Sequence, residues 1–272
     1  MRTQSNNTNA PIGIFDSGLG GLTVLKKIQE KLPNENYIYY GDTINLPYGT
    51  KSNQSIVQYS KQIINFLIKQ NVKTIVCACN SASSVAINQI KQNINIPIFE
   101  VINPAVQEAV HYTKTNHIAI IGTDTTIKSK SYSKKIKALN PEINTIEIAT
   151  PLLVPIIEEG LENTSIANEM SKLYCQKIIN SKFDTLILGC THYPMIEGLL
   201  KKILTHKIRL ISSGKPVAIN LYNYLNKHDL INNSLSANTQ YYVSDNIEKF
   251  QQSASKFLNH SIDDVALHNF KS

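Results

Sequence analysis

Long apolar runs, arginine and cysteine are all scarce in this sequence of 272 residues. No segment approaches the roughly 18 consecutive apolar residues of a membrane span. The first eleven residues contain one arginine with no apolar stretch behind it, which argues against a secretory signal. We therefore expect a cytoplasmic protein that has no membrane partner.

Arginine occurs only at Arg2 and Arg209. We therefore expect a substrate carboxylate to be bound by backbone N–H groups and small polar side chains rather than by a guanidinium group. The net charge of +7 is carried mainly by scattered lysines. Because no basic run or aromatic stripe accompanies this charge, nucleic acid is not an expected partner. A positive field would still attract a small anionic substrate.

The four cysteines are Cys77, Cys79, Cys175 and Cys190. In a reducing cytoplasm they are not expected to form disulfides. A zinc site needs paired ligands in short loops, and one Cys-x-Cys with a distant Cys-x-His does not have that spacing, so we expect no metal. Cys77 and Cys175 are interpreted as small buried side chains. Cys79 and Cys190 are the functional candidates, because each follows an apolar strand and precedes hydrogen-bonding residues.

Eight short runs rich in β-branched residues alternate with helical patterns, which predicts an α/β fold with mostly parallel sheets. When the first four runs are paired with the last four, their starts are offset by 106 residues, between 12 and 118, to 112 residues, between 96 and 208. This spacing indicates two similar halves, although even strand spacing in any β/α protein is an alternative explanation. Two such halves facing each other would direct Cys79 and Cys190 toward one cleft.

Helical periodicity is clearest around Ile56, Ile63 and Leu67, which predicts a helix closed by Asn71. Further signals follow Arg209. The predicted segments are a helix over 53–70, a helix over 216–227, a polar linker over 231–240, a strand over 241–243 and a helix over 246–258.

A glycine-rich turn lies in IFDSGLGGLT, residues 14–23, between a strand and the start of a helix. Thr23 stands where the dinucleotide fingerprint requires its third glycine, and Asp16 would repel a pyrophosphate. Asp16 suits an ammonium group or a thiol better, and a purely structural turn remains the alternative. The loop DTINLPYG, residues 42–49, follows the second strand and is expected at the mouth of the cleft.

Two matched thiols on opposite sides of a carbon can remove a proton from one face and deliver one to the other. Inversion of an amino-acid α-carbon in both directions requires this. A general base contributes only about 10²- to 10⁴-fold, so donors to the developing carboxylate charge are also needed, for which Asn80, Ser81 and Thr191 are candidates. Asp16 and His192 would tune the thiols and carry protons, since a cysteine with a pKa of about 8.5 is mostly protonated at neutral pH.

Five motifs occur in order: GIFDSGLGGLTVL, YYGDTINLPYG, CNSAS, LLVPIIEEG and LGCTHYP. They resemble those of the bacterial glutamate racemases of the cofactor-independent aspartate/glutamate racemase superfamily, over about residues 11 to 215. The resemblance implies two α/β halves with the active site between them, no pyridoxal phosphate, no metal, glutamate as substrate, and a homodimer that supplies D-glutamate for peptidoglycan. It also implies that the C-terminal tail returns to the first half, so the predicted domains are 1–103 with 212–272, and 104–211.

The resemblance also assigns roles by position. Cys79 and Cys190 would be the catalytic bases, and His192 and Glu158 would assist at the second of them. Spacing alone does not separate Glu158 from Glu159. The implied substrate-binding positions are Asp16, Ser17, Pro47, Tyr48, Gly49, Asn80, Ser81, Thr191 and His192, with Asp16 and Ser17 next to the first cysteine.

The sequence departs from the family pattern at a few positions, and two alternative functions remain open. One is an aspartate racemase or a related two-thiol isomerase. The other is a two-domain receptor that closes on a small anion without chemistry, for which no thiols are needed. The departures are Asn45, Ser81, Glu100, Asn103 and Ser212; Ser81 keeps the hydroxyl of the frequent threonine.

Overall fold

The chain forms ten strands within the part that the computed structural model describes. The described ranges are 7–179, 181–204, 208–234 and 236–270. The strands are β1 (Ile12–Asp16), β2 (Tyr37–Gly41), β3 (Thr74–Cys77), β4 (Ile98–Glu100), β5 (His117–Gly122), β6 (Asn144–Ala149), β7 (Thr185–Gly189), β8 (Arg209–Ser212), β9 (Thr239–Val243) and β10 (Val265–Leu267).

The strands form two sheets in which all neighbours run parallel. One sheet has the order β10-β9-β2-β1-β3-β4 and the other has the order β6-β5-β7-β8. The first four strands and the next four are therefore arranged in the same order, second, first, third, fourth. This repetition confirms the predicted α/β fold with two similar halves. The last two strands of the chain extend the first sheet beyond β2.

Helices connect the strands, as crossovers between parallel strands require. Short 3₁₀ turns lie at Tyr48–Thr50, Lys91–Asn93 and Tyr193–Ile196. The α-helices are α1 (Leu22–Lys31), α2 (Asn53–Lys69), α3 (Asn80–Val85), α4 (Ile87–Ile90), α5 (Ile102–Tyr112), α6 (Asp124–Ser129), α7 (Ser131–Leu139), α8 (Leu153–Glu158), α9 (Ser165–Cys175), α10 (Glu197–Ile203), α11 (Gly214–Lys227) and α12 (Ile247–Leu258).

The α2 helix shows how local sequence sets the element bounds. Ser52 caps its start, since the Ser52 hydroxyl accepts a hydrogen bond from the backbone N–H of Ser55 at 3.1 Å. The buried apolar residues of α2 are Ile56, Ile63, Ile64, Phe66 and Leu67. The helix ends at Lys69, and Asn71 adopts a left-handed conformation with φ 56°, which closes it as predicted.

A few predicted elements are wrong at their ends. The strand predicted over 96–99 begins two residues later, at Ile98, as β4. The α11 helix begins two residues earlier than predicted, and β9 begins inside the predicted linker over 231–240. Two parts of the analysed sequence, the tail with Arg2 and Leu235 of the linker, lie outside the described residues.

The buried apolar residues form three clusters, and one of them contains residues of both sheets. Ile12 and Ile14 of the first sheet belong to the same buried cluster as Ile121 and Leu186 of the second, and Val217 of α11 joins them. Parallel strands covered on both faces are apolar along their length, which explains the unbroken runs in the sequence. The two halves pack together through this shared cluster. They border a cavity at the carboxyl ends of their strands.

A buried ion pair fixes the returning end of the chain to the first sheet. Lys73 Nζ lies 2.5 Å from a carboxylate oxygen of Glu35, and both side chains are nearly inaccessible. Lys73 also donates to the backbone carbonyl of Leu230 at 2.8 Å. The backbone N–H of Asn232 donates to Glu35 at 2.9 Å. The segment that leads into β9 is thereby hydrogen-bonded to residues that flank β2 and β3.

The division into domains 1–103 with 212–272, and 104–211, stays a prediction. The strands over 12–100 and 239–267 share one sheet, and those over 117–212 form the other, while α5 crosses the boundary placed at 103. Across the described ranges, no helix combines the length and the apolar character needed to cross a membrane.

Candidate active site

A cavity lies where the carboxyl ends of the two sheets face each other, with an empty volume of about 680 Å³ that includes its mouth. It is bordered by the ends of β3 and β7, beside the point where strand order reverses in each half. The predicted site residues that line it are Ser17, Pro47, Tyr48, Gly49, Cys79, Asn80, Ser81, Glu158, Cys190, Thr191 and His192.

The first thiol, Cys79, lies between β3 and α3 and is 5% exposed. Its Sγ is 3.7 Å from the Ser17 hydroxyl. Burial, together with the nearby Asp16 carboxyl, raises the pKa of Cys79 to about 12, although hydrogen bonds from the Ala82 N–H and from Ser17 act in the opposite direction. Burial therefore outweighs these hydrogen bonds and favours the thiol form of Cys79.

The second thiol, Cys190, follows β7 and is 7% exposed. Thr191 and His192 form a turn, and a short 3₁₀ helix starts at Tyr193. The turn brings the ring of His192 back to Cys190, with Nδ1 at 3.7 Å from Sγ. The sulfur therefore has an imidazole partner in place of a helix N-terminus.

His192 connects Cys190 to Glu158. Its Nε2 lies 3.0 Å from Oε1 of Glu158. Burial alone would lower the pKa of His192, but the hydrogen bonds to Cys190 and Glu158 outweigh it and raise the pKa to about 10. At neutral pH the ring is thus an imidazolium whose Nε2–H donates to the Glu158 carboxylate. The structure also answers which of the two adjacent glutamates faces the site, since Glu159 is exposed and outside the cavity lining.

Asp16 is fully buried and is not among the residues that line the cavity. Its Oδ2 accepts a hydrogen bond from the backbone N–H of Gly18 at 3.0 Å. Burial raises the pKa of Asp16, and the positive charge of His192 lowers it in part. The carboxyl acts electrostatically on Cys79.

The glycine-rich turn is required by a close approach between the two halves. A β-carbon at Gly20 would collide with Thr191 and with the ring of His192. The Thr23 hydroxyl donates to the backbone carbonyl of Thr191 at 2.8 Å. Thr23, which stands where the dinucleotide fingerprint has its third glycine, therefore holds the turn after β1 against the turn after β7.

Thr123 is a cavity residue that the sequence analysis did not identify. It follows β5, and its hydroxyl lies 2.9 Å from that of Ser81. A β-carbon at Gly49 would lie 2.7 Å from Cβ of Thr123, so the predicted mouth loop packs directly on it. Its place after the first strand of the second half matches that of Ser17 in the first half. The rule that ligands bind beyond strand ends points to both positions.

Apart from Ser81, four residues depart from the family pattern. The structure explains three of them by local hydrogen bonds. The Asn45 amide donates to both oxygens of the buried Asp42, at 3.1 and 3.0 Å. Glu100 accepts from the N–H groups of Ile102 and Asn103, at 2.6 and 3.0 Å, and so caps the start of α5. The side chain of Asn103 in turn accepts from a lysine of α7. Ser212 ends β8, and nothing in the structure explains the serine at this position.

No group of three or more histidine, cysteine, aspartate or glutamate side chains is placed to hold a metal within the described ranges. Arg209 lies over the ring of Tyr112, 4.6 Å from its centre, and is not a cavity residue.

The chain is similar to known proteins over nearly all its length. A model of the Asp/Glu/hydantoin racemase family matches residues 12–218. A glutamate racemase from Geobacter metallireducens is 39% identical over 255 residues, which cover 93% of this chain and 94% of that protein. The crystal structure of the glutamate racemase isoform RacE1 from Bacillus anthracis matches with a TM-score of 0.93 and 32% identity, over 97% of this chain and 98% of that one. The glutamate racemase structure from Francisella tularensis, in complex with D-glutamate, matches with a TM-score of 0.91 and 35% identity, over 96% and 98%.

Two parallel α/β halves with a shared cavity, together with these relatives, define an isomerase of the racemase class. The chain belongs to the Asp/Glu/hydantoin racemase family. Both the resemblance drawn from the five motifs and the predicted enzyme class are confirmed.

Proposed function

We propose that this protein interconverts L- and D-glutamate by transferring the α-proton between Cys79 and Cys190, without a cofactor. The observation that best supports the proposal is that one thiol from each half lines the same cavity. Cys190 also acts on the pKa of Cys79, so the two sulfurs are close enough to sense each other's charge. The names of the relatives support glutamate as the substrate.

In the proposed reaction, one sulfur starts as the thiolate and takes the α-proton. The electron pair of the broken C–H bond stays on the substrate as an enolate-like carbanion. The other sulfur starts as the thiol, forms the new C–H bond on the opposite face, and becomes the thiolate. The protein ends with its proton on the other sulfur, so the reverse reaction starts from the reversed pair.

The surroundings of the two sulfurs support this pairing. The high pKa of Cys79 keeps a proton on that sulfur. At Cys190, the imidazolium of His192 presents Nδ1 to the sulfur, and a charged donor binds a thiolate more strongly than a thiol. Glu158 holds the imidazolium in place through Nε2. His192 is thus placed to exchange the proton on Cys190 between turnovers.

The carbanion also needs stabilisation, because its charge extends onto the substrate carboxylate. Asn80 and Ser81 open α3 and Thr191 follows the second thiol, so donors flank the cavity at both strand ends. Each of these residues is less than 6% exposed. Hydrogen bonds made in such a water-poor site are stronger than in bulk solvent, which favours the charged intermediate.

The proposal includes a cellular role that the resemblance implies. The enzyme would act in the cytoplasm, as a homodimer, to supply D-glutamate for peptidoglycan. A requirement for added D-glutamate after deletion of the gene would support the role, and sedimentation of the purified protein would give the oligomeric state. Growth without added D-glutamate in a strain with no other source would count against it.

The reaction is tested by incubating the pure protein with L-glutamate in heavy water, without pyridoxal phosphate. With two bases, the product D-glutamate gains deuterium from a thiol exchanged with solvent, while the L-glutamate recovered early keeps its hydrogen. A single base would place deuterium in both enantiomers. Binding without any exchange would support the receptor alternative, and faster turnover of aspartate would make the protein an aspartate racemase.

Single alanine variants test the role of each thiol. We expect Cys79→Ala and Cys190→Ala each to abolish racemisation, because either change removes one face of the acid and base pair. Cys77→Ala is the matched control, since this buried cysteine ends β3 and does not line the cavity. It should keep most of the activity. Substantial racemisation by both single variants would rule out the paired-thiol reaction.

A further inference from the structure

Asn80 lines the cavity and carries a hydrogen-bond donor that has no partner among the described residues. Its residue is 2% exposed. Its Oδ1 accepts a hydrogen bond from the Tyr132 hydroxyl at 2.6 Å. Its Nδ2 is buried and has no partner among the described residues. Because buried amide groups are almost always hydrogen-bonded, the free donor points to a ligand.

The partner of this amide comes from the other half of the molecule. Tyr132 lies in the first turn of α7, is 1% exposed, and belongs to the core cluster under the second sheet. Asn80 opens α3 beside the first sheet. The bond therefore crosses between the halves, immediately after one of the two thiols.

The ring of Tyr132 also contacts the strand that carries the other thiol. A β-carbon at Gly189 would lie 3.2 Å from Cε2 of Tyr132, so the ring packs against the residue that precedes Cys190. The Tyr132 side chain thus contacts Asn80, which follows Cys79, and Gly189, which precedes Cys190.

Several contacts fix the backbone at the start of α7, where Tyr132 lies. Glu147 accepts from the backbone N–H of Ser133 at 3.0 Å and pairs with Lys130 at 3.0 Å. Ser131 donates from its hydroxyl to the backbone carbonyl of Ser84 at 2.9 Å, which docks α7 onto the far end of α3.

We propose that Tyr132 is a positioning residue that fixes the Asn80 amide with Nδ2 toward the substrate carboxylate and sets the spacing of the two thiol-bearing turns. This inference rests on the proposed racemisation of glutamate. An amide can rotate by half a turn and exchange its oxygen and nitrogen. The tyrosine hydroxyl prevents this, because its donor requires the oxygen on its side. Without it, the oxygen of the amide can face the carboxylate and repel it.

The experiment compares Tyr132→Phe with Tyr37→Phe. Tyr37 is also buried, and its hydroxyl donates a hydrogen bond to the carbonyl of Leu32 at 2.5 Å. Unlike Asn80, which Tyr132 contacts, neither Tyr37 nor Leu32 lines the cavity. Both variants should lose a similar amount of thermal stability. Only Tyr132→Phe should raise KM for glutamate, by about tenfold, the factor expected for one hydrogen bond to a charged group.

A double variant tests whether Tyr132 acts through Asn80. In the Asn80→Ala background, Tyr132→Phe should change KM by less than about twofold, since coupled residues are not additive. An unchanged KM in Tyr132→Phe alone, or a full additional effect in the Asn80→Ala background, would overturn the inference.

A measurement without turnover separates this inference from the proposed function. In the NMR spectrum of the wild-type protein, the two protons of the Asn80 side-chain amide should give distinct, slowly exchanging signals. In Tyr132→Phe they should shift and exchange faster, and in Tyr37→Phe they should not change. Identical Asn80 signals in all three proteins overturn the inference even if glutamate is not the substrate. Absence of racemisation by the wild type overturns the proposed function alone.

Discussion

Replacing Glu158 with glutamine removes one negative charge next to His192 and preserves the shape of the side chain. In the wild type the two groups are joined by a 3.0 Å hydrogen bond with most of the imidazole buried. Such a bond between charged partners contributes about 1.5–3 kcal/mol, and about 1.4 kcal/mol corresponds to one pH unit, so we expect the pKa of His192 to fall by about one to two units from its value of about 10.

The pKa is measured by NMR titration of the ring nitrogens of His192, and the activity by polarimetry over the same pH range. In Glu158→Gln the neutral ring should appear at lower pH than in the wild type. We expect kcat to fall about tenfold or more, because a loss of about 1.4 kcal/mol in the stabilisation of the transition state lowers a rate tenfold.

The control is Glu159→Gln, which makes the same charge change at the adjacent, exposed position. It should leave both the titration of His192 and kcat close to those of the wild type. The reasoning is refuted if His192 titrates near 6.5 in the wild type, or if the two glutamine variants behave alike.

Three further outcomes follow from other contacts. Lys73→Met should lower the free energy of unfolding by about 3–5 kcal/mol, since it leaves Glu35 buried without its partner. Lys27→Met, which breaks an exposed pair, should cost less than about 1 kcal/mol, and equal urea midpoints for the two variants would contradict this. Gly20→Ala should abolish racemisation with little change in circular dichroism, because the new methyl group collides with His192 and separates the two halves; wild-type activity would show that the turn adapts. Finally, the pKa of His192 in the folded protein, about 10, exceeds the ordinary 6.5, so its contribution to stability is complete below pH 6.5 and is lost as the pH rises toward 10. Urea unfolding across this window should show a loss that Glu158→Gln reduces, and equal pH dependence in both proteins would contradict the assignment.

Most strands were predictable because parallel strands buried on both faces keep an unbroken apolar run. The run at 96–99 was misplaced for a chemical reason. Pro97 has no backbone N–H to give to the ladder, and only its carbonyl takes part, accepting from Ile75 at 2.9 Å. The β10 strand was missed because it has three residues and two of them are exposed, so it has almost no apolar signal.

The cavity residues next to the motifs could be predicted, because strand ends and polar turns mark them directly. Tyr132 could not, since it lies in the first turn of an ordinary helix and is connected to Asn80 only through the packing of α7 on α3. The choice between Glu158 and Glu159 likewise depends on which side of a helix end faces His192.

The protonation state of Cys79 was the least predictable property. The sequence indicates that the thiol lies next to a helix start and an aspartate, but it does not indicate how deeply the thiol is buried. The structure excludes solvent from Cys79 and Asp16 together, and this desolvation outweighs the hydrogen bonds that favour a thiolate.

The order of strands in the first sheet has a consequence for how the chain matures on the ribosome. The β9 strand pairs with β2, and β10 pairs with β9, so the sheet that begins with β1 and β2 is completed by strands that are synthesised after the whole second sheet. All four strands of the second sheet are contiguous along the chain and leave the exit tunnel earlier. The inserted half can therefore finish its sheet before the flanking half does, and the outer edge of β2 stays open to chaperones until β9 has emerged.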